Sequence, residues 1–109
     1  MAKRAIDGVE FGSDNVFADL GLPDADELKI KSGLVIEITR AVRRLGLTQQ
    51  EAGQRMGLPQ PKVSRLMRGD FASVSERKLM ECLTRLGYDI RIEIRSATTP
   101  VGHLTLAIA

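Results

Sequence analysis

The sequence predicts a mainly α fold: a small helical bundle carrying a helix-turn-helix, followed by a short C-terminal β-strand or hairpin used in dimerisation. Three observations predict it. Between Thr48 and Gly69 lie two short helical patterns separated by a glycine-containing break. Longer amphipathic patterns of helical period flank them on both sides. After Gly87 the apolar residues switch to strict alternation, the period of a strand buried on one face.

The chain has 109 residues, 43% of them hydrophobic but only 4% aromatic and none of them Trp, so its core must be aliphatic. That composition favours small helices packed on one another over a large ligand pocket. Three segments divide it: an N-terminal arm over 1–23, a helix-turn-helix domain over 24–87 and a C-terminal β dimerisation segment over 88–109. The arm is polar at first, with a short helix expected over 14–20 behind Asp14. Its apolar residues Phe11, Phe17, Leu20 and Leu22 either fold back onto the core or order on a partner's surface.

A long helix is expected from Asp24 to the stop at Gly46, with Asp24 and Glu27 at capping-box spacing. Leu28, Val35, Ile38, Val42 and Leu45 form its expected apolar stripe. Gly33 interrupts it, as the close approach of a neighbour would require. Next, Thr48 is an N-cap and Glu51 completes a capping box. The helix behind them ends at Met56, and Gly57 turns the chain. Pro61 stands in the first turn of the second short helix, where its missing N–H is harmless. Two such helices joined this closely must cross steeply, and Ala52 and Gly53 supply the small residues that the crossing needs. Val63 and Leu66 then face Leu47, Ala52 and Met56. A last helix is expected from about Ser75 to Leu86, capped by Ser73 or Ser75, with Leu79, Cys82, Leu83 and Leu86 inward and Gly87 as its stop.

Beyond it, Ile90, Ile92 and Ile94 alternate with Arg91, Glu93 and Arg95, and Leu104, Leu106 and Ile108 alternate again. A lone hairpin is marginal in water and leaves an open edge. The expectation is therefore that Tyr88–Arg95 pairs with its copy across a two-fold axis, with Tyr88, Ile90, Ile92 and Ile94 as the dimerisation residues and Tyr88 also anchoring the helix-to-strand junction.

Charge is segregated. Residues 1–39 carry four basic and eight acidic side chains, whereas residues 40–70 carry seven basic and two acidic. The basic block coincides with the helix-turn-helix, as a phosphate-facing surface requires. On the second short helix Gln60, Lys62, Ser64, Arg65 and Arg68 form a polar outward set with no acid among them. Gln pairs with adenine and Arg with guanine in the major groove, while Lys62 and Arg68 suit phosphates. Gln49, opening the first short helix, is placed to reach the backbone beside that groove.

The other function classes find no support. The one Cys and one His offer neither a disulfide nor a second metal ligand, so no metal or cofactor is expected. No nucleophile elbow or phosphate loop is present, and an enzyme is not expected. No apolar run reaches membrane-spanning length and no signal peptide is visible, so a cytoplasmic location is expected.

The stretch from Leu47 to Gly69 resembles the helix-turn-helix of phage Cro and cI repressors, the XRE class, through Gly53, Gly57 and the Val63/Leu66 pair. The fold that this resemblance implies is a lambda-repressor-like bundle. From Val16 to Arg95 the chain looks like the HigA-type antitoxins of toxin–antitoxin operons, through LTQQEAGQRMGLPQPKVSRLMRGD and LTRLGYDIRIEIR. The resemblance implies a phosphate contact at Gln49, base reading by Gln60, Ser64 and Arg65, and an adjacent contact from Lys62. Pro61 departs from the pattern, standing where such repressors often place a second base-reading residue. It also implies a homodimer that binds double-stranded operator DNA, represses its own operon and neutralises a RelE/HigB-like protein toxin. The alternatives are a free-standing XRE-family regulator without a toxin partner and an interaction module that no longer touches DNA.

Overall fold

The computed structural model describes residues 24–109, and the reading of residues 1–23 as an arm with a short helix lies outside them. Four helices follow in order: α1 (Asp24–Arg44), α2 (Gln49–Met56), α3 (Gln60–Met67) and α4 (Glu76–Arg85). They enclose one aliphatic core in which Ile38, Met56, Val63, Leu66, Leu79 and Cys82 are almost wholly buried.

The buried stripe of α1 differs from the expected one. Val35, Ile38 and Val42 are buried as anticipated, but their neighbours in the core are Ile30, Leu34 and Ala41, while Leu28 is 58% and Leu45 41% exposed. Apolar residues are frequent enough along this helix to support two overlapping stripes. The one that wins faces α4, and it carries Glu37 inward with it. Burying that carboxylate is tolerable because it is satisfied: the Tyr88 hydroxyl donates to Glu37 Oε2 at 2.9 Å, and Arg40 Nη1 lies 3.6 Å from Glu37 Oε1. Tyr88 therefore closes the end of α4 against α1. Burial, then the hydrogen bond to Glu37 and its charge, push the Tyr88 phenol above its ordinary pKa.

Ser75, not Ser73, caps α4 by accepting from the Lys78 amide at 3.1 Å. Glu76 is thereby turned inward, where it is 3% exposed and its Oε2 has no conventional donor. Its neighbour is Glu27 of α1. A hydrogen bond to Glu76, then burial and the like charge, raise the Glu27 carboxyl above its ordinary pKa, with Lys31 pulling the other way. A proton on Glu27 would give the buried Glu76 oxygen its missing donor.

The expected C-terminal strand is absent. Among the described residues there is no strand, and residues 88–109 run without regular secondary structure. Alternation alone does not make a strand, since the backbone groups need a ladder partner. Among the described residues no segment provides one. The segment instead rests on α1 near both ends, through Tyr88 and through Leu106, while Leu104 packs against the core. A Cβ on Gly33 would lie 2.6 Å from Leu106 Cδ2, the end of a flexible side chain that would have to shift to admit it. Between these anchors Ile92 and Ile94 are 55% and 92% exposed.

The Glu27–Glu76 contact makes stability depend on pH. A carboxyl whose folded pKa is raised stabilises fully below the ordinary carboxylate range, and that contribution is lost as pH rises through the raised value. Glu27→Gln replaces the titrating donor by a permanent amide. Thermal melts of this variant are expected to show a higher Tm than the parent at neutral pH and a flatter profile through the weakly acidic range. Parallel profiles for the two proteins would contradict the shared proton.

Candidate nucleic-acid interface

The interface is built by α2 and α3. Thr48 holds the start of α2 in both directions: its hydroxyl accepts from the Glu51 amide at 3.0 Å, and Glu51 Oε1 accepts from the Thr48 amide at 2.9 Å. At the other end Gly57 adopts φ 74°, a left-handed conformation that glycine takes without steric cost. The amides of Gly57 and Leu58 both donate to the Gly53 carbonyl, at 2.8 and 2.9 Å, so the chain reverses within a single turn.

This reversal brings the backbone after α2 directly over Gly53. A Cβ there would lie 2.5 Å from the Leu58 carbonyl oxygen and 3.3 Å from Val63 Cγ2. Ala52, Met56, Val63 and Leu66 fill the remaining space between the helices and are fully buried or nearly so. Pro59 is the N-cap of α3 and has no side chain that can bond the free amides; nor is there an acid in the first turn. The positive end of the α3 dipole thus stays uncompensated beside Gln49 and Gln60.

The packing brings Gln49 and Gln60 together, with Gln60 Nε2 donating to Gln49 Oε1 at 2.8 Å. That bond leaves Gln60 its own carbonyl oxygen and a second N–H, the acceptor and donor that a bidentate contact to adenine uses. Gln49 accepts in this bond through Oε1 and keeps its own amide N–H groups as donors. Gln50 and Gln54 extend the same polar surface, lining with Gln49, Leu58 and Gln60 an open groove of about 680 Å³. The sequence reading passed over these two residues, although their spacing places them on one face of α2.

The other named residues occupy distinct positions. Ser64 follows Gln60 by one turn, and its hydroxyl accepts from Arg68 Nη1 at 2.6 Å. Arg68 is therefore drawn back along the helix toward the exposed face rather than extended into solvent. Arg65 is exposed and has no ion-pair partner among the described residues. Lys62 is half-buried and projects from the other flank of α3, roughly half a turn round from Gln60. Gln60, Arg65 and Arg68 thus make one exposed surface with the half-buried Ser64 among them, and Lys62 stands beside it.

Among the described residues no three of His, Cys, Asp and Glu come together as a metal site, and no helix is long and apolar enough to cross a membrane. His103 is exposed and stands apart from α2 and α3 in sequence. Burial raises the pKa of the Cys82 thiol, which sits in the core with Met56.

A steep two-helix unit with a shared inner core and an outward face of amides and guanidinium groups defines a DNA-binding helix-turn-helix protein. The helix-turn-helix domain family HTH_37 matches residues 16–95. A solved structure described as an XRE family transcriptional regulator superposes with a TM-score of 0.75 at 31% identity, covering 80% of this chain and 100% of that one. No curated protein gives a significant match. The chain belongs to the XRE family of helix-turn-helix transcriptional regulators.

The space above Gly53 sets two expected stabilities. Gly53→Ala forces the two helices apart and is expected to lower unfolding free energy by about 1–3 kcal/mol, the usual scale for overpacking. Thr48→Ala removes a cap and should cost about 1 kcal/mol. Urea denaturation followed by circular dichroism measures both, and an unchanged midpoint for Gly53→Ala would contradict the close approach.

Proposed function

We propose that this regulator is a homodimeric, sequence-specific repressor that binds an operator in its own promoter and also serves as the antitoxin of a RelE/HigB-like toxin. The observation that carries the DNA-reading part is the Gln49–Gln60 hydrogen bond. It ties a side chain suited to the phosphate backbone to one suited to a base edge, at the uncompensated end of α3. In this reading Gln60, Ser64 and Arg65 read bases, and Gln49, Lys62 and Arg68 hold the backbone. The function is binding in the cytoplasm, without catalysis and without a cofactor.

The homodimer rests on the C-terminal segment. Ile90, Ile92 and Ile94 are 37%, 55% and 92% exposed, on backbone that has no ladder partner among the described residues. A second copy paired through this segment would cover them and satisfy the backbone. It would also hold two α3 helices for successive major grooves, about 34 Å apart. Tyr88 contributes from its own side by fixing where the segment leaves α4. The antitoxin role is supported by the resemblance to HigA-type proteins and by the acidic character of residues 1–39, suited to a basic partner.

Three measurements test this reading. Arg65→Ala is expected to keep its helical circular dichroism and lose footprint protection of the operator by tenfold or more in protein concentration, about the cost of one good bidentate contact. Equal protection would remove Arg65 from base reading. Ile92→Asp with Ile94→Asp is expected to sediment as a monomer where the parent sediments as a dimer; an undisturbed dimer would move the interface elsewhere. For the toxin, the chain is co-expressed with the product of the adjacent reading frame. Co-purification together with relief of mRNA cleavage supports the antitoxin role. A neighbour that neither binds nor cleaves leaves a free-standing regulator.

A further inference from the structure

The last turns of α1 carry three arginines, Arg40, Arg43 and Arg44, and the structure gives them different surroundings. Arg40 lies against Glu37 at 3.6 Å. Arg44 bonds the Tyr88 hydroxyl at 3.4 Å and stacks 5.5 Å from the centre of its ring. Arg43 is exposed and has neither an ion-pair nor a side-chain hydrogen-bond partner among the described residues.

Helical geometry explains the division. Successive residues are about 100° apart, so Arg43 and Arg44 leave α1 in directions more than a quarter turn apart. Arg44 shares the flank that receives Tyr88, whereas Arg43 shares the flank that receives the end of α3. There Arg43 and Arg40 line a groove of about 410 Å³ whose far wall is Leu66, Met67, Gly69 and Phe71. Met67 stands on α3 one turn beyond Ser64 and two beyond Gln60. The row Gln60–Ser64–Met67 therefore runs from the meeting point with Gln49 down to the groove that holds Arg43.

We propose that Arg43 is a DNA-backbone contact, gripping a phosphate beside the C-terminal end of α3, on the side of the major groove away from Gln49. This inference rests on the reading of α3 as the groove-entering helix. A duplex seated on the Gln60–Ser64 side of α3 meets Gln49 at the N-terminal end of that helix, and Arg43 lies across the groove from its C-terminal end. A cation in the last turn of a helix also suits the helix dipole, but Arg44 in the same turn already serves that purpose. An unpaired guanidinium has its whole bidentate fork available to phosphate oxygens. A contact of this kind fixes the duplex in position and carries no base preference of its own.

The test compares Arg43→Ala, Arg65→Ala and, as a control on an outlying exposed cation, Arg77→Ala. Binding of each is measured against salt on a duplex containing the promoter of the protein's own operon and on a mixed-sequence duplex. Arg43→Ala is expected to weaken binding to both duplexes severalfold at low salt. It should also flatten the salt dependence by about 0.9 in log–log slope, the value of one phosphate contact. Arg43→Lys should recover most of the slope, and Arg77→Ala should match the parent. If Arg43→Ala keeps the parental affinity and slope while Arg65→Ala loses operator preference, Arg43 is not a backbone contact and the reading of α3 stands. If Arg43→Ala and Arg65→Ala both bind as the parent does, the reading of α3 falls and this inference with it.

Discussion

The close approach of the Leu58 carbonyl to Gly53 is the constraint on which the rest depends. With no side chain at that position, the chain leaving α2 can fold directly back over it and set α3 across α2 at short range. A steep crossing then follows from sterics, and the positive φ of Gly57 lets the reversal finish within one turn. The crossing angle decides what the first residues of the two helices can reach. It brings Gln49 and Gln60, eleven residues apart in the chain, to 2.8 Å. A methyl group at Gly53 would spread the helices and separate the pair.

Around this unit the bundle assigns one task to each flank of α1. One flank faces the end of α3 and carries Arg43 and Arg40 along the groove. The other receives the chain after α4, through Tyr88 at Glu37 and Arg44 and through Leu106 over Gly33. The inner face, from Ile30 to Val42, belongs to the core. A single helix thus fixes the recognition helix on one side and the departure of the C-terminal segment on the other. In the proposed dimer that coupling is what turns pairing of the C-terminal segments into a set spacing of the two recognition helices.

Much of the helix-turn-helix was legible because its determinants are local. The Thr48–Glu51 capping box, the turn at Gly57 and the inward pair Val63 and Leu66 all act within a few residues of themselves. The inward face of α4 was legible for the same reason, since Leu79, Cys82, Leu83 and Leu86 have no competing stripe. The face of α1 was not, because Leu28 and Leu45 are as apolar as Ile30 and Leu34, and only the position of α4 chooses between them. No local pattern marks Glu37 and Glu76 as buried. Their burial depends on Tyr88 and Glu27, which lie distant in sequence. The free state of Arg43 was equally hidden, because it depends on which neighbouring arginines find partners elsewhere in the fold.

The amino-acid sequence by itself determined where helices start and stop, which small residues permit the α2–α3 crossing, and where basic charge is concentrated. Those properties arise from caps, turns and periodicity, whose forces act over one or two turns of chain. Only the tertiary structure decided which stripe of α1 is inside, which carboxylates are buried and which arginine is left unpaired. It also decided that residues 88–109, despite their alternation, form no strand within the chain. The physical reason is common to all of these: burial and backbone pairing are settled by partners distant in sequence, and a pattern within one segment cannot say whether such a partner is there.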